Sequence, residues 1–219
     1  MIKHINICTL NKFFAACYLS RNNVIINNVL TNQGTIKGES GGTTHWYSYG
    51  AGAISSVSKV PGYEQAIIGG IIQSSILIDL TNLGSSNDEG DAIGLTTGGG
   101  AAYIFKYVLA QMGIPFKIEV SCLELPLASS NELLDFDLLS CTAANKEYND
   151  DIADGETDSV VLFASGGIFA KGKTIQNLVV NTPDADGDYV YLVTGATHGG
   201  TFVFTAGKLL ITVYGHATF

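Results

Sequence analysis

From about residue 67 onward the chain alternates apolar and polar positions in short runs separated by polar, glycine-bearing turns. Ile76, Ile78 and Leu80 fall on one face of a strand, and a turn over Thr81–Gly94 follows it. Phe116, Ile118, Val120 and Cys122 alternate with Lys117, Glu119 and Ser121, the cleanest period of two in the chain. Pro126 is expected to end that strand and Asp135–Cys141 to answer it. Further strands are predicted over Ser159–Ala164, Thr174–Asn181, Tyr189–Thr194, Thr201–Thr205 and Lys208–Tyr214, the last with Leu209, Ile211 and Val213 inward. Gly199-Gly200 and Ala206-Gly207 are read as tight connections between the last strands. Regular short strands with glycine-rich turns predict an all-β protein, an antiparallel β-sandwich with jelly-roll-like character.

One stretch reads both ways. Phe105, Val108, Leu109 and Met112 recur at helical spacing, and Gly113 stands where a helix would end. Tyr103, Ile104, Phe105, Tyr107 and Val108 are nevertheless strand-favouring, and a strand is slightly preferred over 101–112. Gly98-Gly99-Gly100 precedes it without any Gly-Lys-Ser/Thr or GxGxxG pattern, so a phosphate loop is not expected.

Charge divides the chain. Residues 1–33 hold Lys3, Lys12 and Arg21, no acid and no glycine, whereas the rest sets eight lysines against twenty acids and carries all 26 glycines. This predicts a basic, Asn-rich N-terminal arm over 1–33, a Gly- and aromatic-rich connecting segment over 34–66, and a β-sandwich domain over 67–219. Arg21 is the only arginine, which argues against nucleic-acid binding, because phosphate backbones are held by clustered Lys and Arg. The longest apolar run, Ala66–Ile78, is interrupted by Gln73, Ser74 and Ser75 and is shorter than the roughly 20 residues of a membrane helix, so no membrane partner is expected. Lys12 likewise breaks the apolar stretch that a signal peptide over Met1–Cys17 would need.

The four cysteines, Cys8, Cys17, Cys122 and Cys141, have no CxxC spacing. A hairpin of 116–125 with 133–141 would set Cys122 opposite Asp137 and Cys141 opposite Ile118, so these two would not pair across it. Four reduced thiols acting as small apolar side chains are expected.

Candidate chemistry is sparse. Asp184, Asp186 and Asp188 alternate beside Gly187 and are candidate calcium ligands; a solvated turn opening the Tyr189 strand is the plainer reading, and Gly195 occupies the twelfth position where an EF-hand loop needs Glu. No other cofactor is expected. Glu147, Asp150, Asp151, Asp154, Glu156 and Asp158, and likewise Asn87–Asp91, read first as solvated, self-repelling loops. The histidines form neither HxH nor HExxH, and Ser165 precedes Gly166-Gly167 without a GxSxG motif, so no enzyme activity is expected. The segment His45-Trp46-Tyr47-Ser48-Tyr49 holds the single tryptophan; Trp46, Tyr47 and Tyr49 are read as interface residues, with a strand plugging the core as the competing reading.

Several pieces taken in order carry a resemblance. They are Asp79–Gly94 (DLTNLGSSNDEGDAIG), Ala101-Ala102-Tyr103-Ile104, Phe116–Pro126 (FKIEVSCLELP), Asp135-Phe136-Asp137-Leu138 and Thr205–His216 (TAGKLLITVYGH). This order resembles virion structural proteins of marine tailed bacteriophages, small β-sandwich proteins of the head. The resemblance implies a non-enzymatic capsid or capsid-decorating component located in the virion. It also implies self-association, as a trimer or higher, and contacts with other shell proteins. The alternative is a secreted or surface adhesin or filament-forming module, extracellular, that binds glycans or neighbouring subunits.

Overall fold

A computed structural model describes residues 35–37, 49–53, 62–128, 135–153, 159–166, 170–178, 186–196 and 200–217. The N-terminal segment 1–33, Trp46, Tyr47, Asp184, Cys8 and Cys17 lie outside the described residues. Two antiparallel sheets face one another, so the protein is an all-β sandwich.

The larger sheet is built from β1 (Thr35–Lys37), β2 (Gly62–Ile68), β3 (Ile71–Asp79), β4 (Gly84–Ser85), β6 (Ile114–Ala128), β9 (Thr174–Leu178) and β11 (Phe202–His216). Its order is β1-β2-β3-β11-β6-β9, with β4 also on β11. The smaller sheet has the order β5-β10-β7-β8, from β5 (Tyr103–Lys106), β10 (Tyr189–Thr194), β7 (Phe136–Cys141) and β8 (Val160–Ala164). A 3₁₀ turn at Ala51–Ala53 and a one-turn helix α1 at Leu109–Met112 complete the described elements. The 101–112 stretch thus holds a strand followed by a helical turn.

The period of two meets the core as expected. Ile76 and Ile78 of β3, Ile118, Val120 and Cys122 of β6, and Leu209, Ile211 and Val213 of β11 form one inner face. They pack against Phe105, Phe136, Leu138, Phe163, Val190 and Leu192 of the smaller sheet. Phe136 and Phe204 meet across the gap with ring centroids 6.5 Å apart.

Pairing departs from the sequence expectation in three places. The segment 116–125 does not form a hairpin with 133–141: β6 pairs β11 and β9, and β7 pairs β10 and β8. Cys122 lies opposite Leu209 and Cys141 opposite Tyr189, both as buried free thiols. Pro126 does not end its strand, and Ala206-Gly207 is not a turn between two strands. β6 runs on to Ala128 beside an uninterrupted β11, and the register slips between Phe204/Ala206 and Ala206/Lys208. Gly207 adopts φ +140° there, so the bulge absorbs both the proline that cannot donate and the glycine. Finally, Ala66–Ile78 folds into the β2–β3 hairpin around Gly69-Gly70, both at positive φ. The Gly-Gly pair flanked by isoleucines was the sequence signal for that turn.

β7 and β10 of the smaller sheet are buried on both faces. Ala92, Ala102, Leu139, Cys141, Ile152, Tyr191 and Val193 form a second cluster on its outer face. Residues 90–93 continue the sheet beside the upper half of β10, with Ile93 N–H donating to Leu192 O (2.9 Å) and Thr194 N–H to Asp91 O (3.1 Å). The loop after β7 joins this cover through Ala92 N–H to Asp150 O (3.0 Å).

Within the main core one hydroxyl stands out. Ser140 is buried on β7 and its Oγ has no hydrogen-bond partner among the described residues. Ser140→Ala is expected to leave stability unchanged or raise it by about 1 kcal/mol, because an unsatisfied buried hydroxyl costs desolvation without return. Urea unfolding checks this, and a loss above about 1 kcal/mol would refute it.

Candidate functional site

Of the three aromatic interface residues, Tyr49 lies among the described residues, where it is half-buried. It opens a short segment that covers the edge of β5: Gly50 N–H donates to Tyr103 O and Gly52 N–H to Ala101 O, each at 2.8 Å. Behind this edge Tyr103 packs edge-on against Tyr189 (4.8 Å between centroids) and Tyr191 (6.3 Å). Lys106 Nζ sits 5.4 Å from the Tyr189 ring centre. Tyr191 donates its hydroxyl to Ala143 O (2.6 Å), and burial pushes its phenol pKa upward, so that it remains a neutral donor. Tyr103 and Tyr189 are half-buried and keep part of their ring faces at the surface. The sequence singled out 45–49 but not this cluster, because its three rings come from two strands distant in the chain.

Of the three candidate calcium residues, Asp186 and Asp188 lie among the described residues. Asp186 is exposed and accepts the Leu109 N–H (2.7 Å) at the start of α1, supplying one of the acceptors a helix terminus lacks. Asp188 is 2% exposed, and its backbone carbonyl accepts the Tyr107 N–H (2.7 Å). Among the described residues no group of three or more His, Cys, Asp or Glu side chains is arranged to hold a metal ion.

Ser165, weighed from sequence as a nucleophile, ties two strands together instead. Its Oγ donates to Asp135 Oδ1 and accepts the Phe136 N–H (3.0 Å). Its own N–H lies 3.0 Å from Asp137 Oδ1 and 3.1 Å from Phe136 O. Asp135 and Asp137 are two apart on an extended chain, so both carboxyls share the outer face of β7. That spacing was readable in the sequence. Ser165, thirty positions from Asp135, was not assignable to them. A similar tie joins Ser86 Oγ to the buried Asp91, whose pKa rises chiefly through burial.

The outer face of the larger sheet carries a polar cluster around β6, with Leu123 46% exposed on the same strand. Lys117 Nζ reaches Glu119 Oε1 at 2.9 Å and lies 3.9 Å from the Tyr214 ring centre. Tyr214 donates its hydroxyl to Glu119 Oε2 (2.8 Å). The Lys117 hydrogen bond holds the Glu119 carboxyl below its usual range, while burial and the bond to Glu119 push Tyr214 up to about 12. His216, the only histidine among the described residues, stacks on Phe116 at 4.4 Å.

β8 and β9 stand at the edges of the two sheets. Among the described residues β8 pairs only with β7, and β9 only with β6. Val161 on β8 is 50% exposed and Leu178 on β9 is 76% exposed. Asn177 Nδ2 donates to Ala164 O (2.7 Å) and links the two edge strands.

The fold defines an all-β sandwich protein. Comparisons with known protein families, curated proteins and solved structures found no match. Among the described residues no helix is long and apolar enough to cross a membrane.

Proposed function

We propose that the chain is a non-enzymatic structural subunit of a virus particle, a capsid or capsid-decorating component that works by packing against copies of itself and other shell proteins. The observation that carries this reading is the β8–β9 side. Two adjoining edge strands present large apolar side chains, Val161 and Leu178, with backbone edges that pair no further among the described residues. Edges of that kind invite strand addition or side-to-side packing. A chain with 14% charged residues buries such surface at low desolvation cost. The resemblance of 67–216 to phage head proteins supplies the setting, and the basic segment 1–33 is the second expected contact.

Sedimentation equilibrium tests the assembly. The full chain is expected to form trimers or larger species, and Leu178→Asp to weaken association at least tenfold without changing the circular-dichroism spectrum. A wild-type chain that stays monomeric at high concentration would overturn the proposal.

The half-buried Tyr103 and Tyr189, backed by the buried Tyr191 and flanked by Lys106, favour the second reading, a glycan-binding adhesin or filament module. Saturable binding of an oligosaccharide that is lost in Tyr189→Ala would support it instead.

A further inference from the structure

One end of the larger sheet carries an apolar strip on its outer face. Ile68 of β2 pairs with Ile71 of β3, Ile71 with His216 of β11, and His216 with Ile114 of β6. Directly paired residues of an antiparallel ladder share a face. Ile72, the neighbour of Ile71, is buried, so this row points outward. Phe116 joins it by stacking on His216, with ring centroids 4.4 Å apart. In the adjoining row Leu178 of β9 stands opposite Lys117. Ile68 is 53% exposed and Ile114 47%; together with Leu178 they put three exposed large apolar side chains on one strip. Such side chains scattered singly are ordinary on a surface, whereas an aligned row marks a contact.

β1 enters the sheet from the same end. Thr35 pairs with Ala66, Ile36 with Gln65 and Lys37 with Glu64, so the chain before Thr35 leads toward Ile68 and the Gly69-Gly70 turn. The strip runs from β2 to β9, four strand spacings or about 19 Å. An extended chain advances about 3.3 Å per residue, so about six residues cross it. The 34 residues before Thr35 exceed that several times over.

Residues 24–30 (VIINNVL) are the apolar stretch nearest to β1, and no charged residue lies between Val24 and Thr35. Laid on the strip, they remove apolar surface from water on both sides of the contact and strip no ion of its hydration. Their tether at Thr35 keeps them at high effective concentration beside the strip of their own chain.

We propose that residues 24–30 dock across this strip of their own chain and cover Ile68, Ile71, Ile114 and Phe116. This is separate from the assembly reading and holds for the isolated subunit. Residues 1–23, which include Lys3, Lys12 and Arg21, are left for contacts outside the chain.

The test is amide hydrogen exchange of residues 24–30 in the full chain. In the wild type these amides are expected to exchange at least about tenfold more slowly than their intrinsic rate, whatever the protein concentration. The double variant Ile68→Asp with Ile114→Asp should abolish that protection. Leu123→Asp, at the other end of β6, should retain it and controls for charge added to the same sheet. Ile25→Asp with Ile26→Asp gives the reciprocal readout and leaves the sandwich untouched. The methyl resonances of Ile68, Ile71 and Ile114 should then shift, while those of the core residues Ile76 and Ile118 stay in place. Unprotected amides in the wild type, protection unchanged by the Ile68 and Ile114 substitutions, or methyl signals that do not move would each overturn the proposal. Protection that vanishes on dilution would overturn it as well, by assigning the cover to a neighbouring copy.

Discussion

Phe136→Ala is expected to cost about 3–5 kcal/mol of folding stability, a large part of the roughly 5–15 kcal/mol that a domain of this size has. Phe136 is fully buried on β7 and reaches Phe204 on β11 across the two sheets. Phe204 is in turn held edge-on by Phe202 at 5.2 Å. Removing the ring therefore empties this point of contact between the sheets. The neighbours sit on paired strands and can close the gap only in part, so a cavity term adds to the lost burial. Phe136→Leu keeps much of the volume and should cost about 1–1.5 kcal/mol. Urea unfolding with an unchanged m-value is the measurement. A loss below about 1 kcal/mol for the alanine variant would mean that the sheets do not meet at this ring.

Gly215→Ala should be comparably damaging, by about 3 kcal/mol, for a reason that involves backbone alone. A Cβ at Gly215 would stand 2.0 Å from Met112 O and 3.1 Å from the Gly113 carbonyl carbon. Gly113, at φ +74°, is equally closed: a Cβ there would meet His216 O at 2.3 Å. The two glycines let the end of α1 approach the end of β11 closer than any side chain allows, and neither backbone can yield without breaking pairs in the larger sheet. Gly70→Ala is the comparison. Its φ is +81° and nothing lies within 4 Å of its added Cβ, so only the conformational cost of about 1–2 kcal/mol applies. Equal losses for the two variants would show that the close approach at Gly215 is absent.

Much of the strand pattern was legible because the period of two is a local property. Ile76, Ile78 and Leu80, then Ile118, Val120 and Cys122, then Leu209, Ile211 and Val213 each needed only an extended chain to point the same way. The same reasoning could not assign partners. Once β6 was read as a strand, Asp135–Cys141 was its nearest neighbour along the chain, yet β11 took that place from the far end of the sequence. Partner choice depends on which apolar faces can share one core, and a strand's own residues do not carry that information. The bulge at Gly207 and Pro126 shows the same limit. Each residue alone signals an interruption, and only their alignment across two strands turns two interruptions into one continuous ladder.

The candidate sites divide in the same manner. Asp184, Asp186 and Asp188 were grouped by spacing alone; of the two that are described, Asp186 meets the start of α1 and Asp188 is buried. Asp135, Asp137 and Ser165 drew no joint notice in the sequence, because their association is made by β7–β8 pairing.

By itself, then, the sequence determined the all-β class, the inward face of each main strand, and the division between a basic start and an acidic, arginine-free body. Alternation, turn chemistry and charge are local and additive along a chain. The tertiary structure alone decided the strand order, the double burial of β7 and β10, the exposed edge at Val161 and Leu178, and the crowding of acids around Ser165. Each of these depends on contacts between residues far apart in sequence, where burial of shared apolar surface outweighs any local preference.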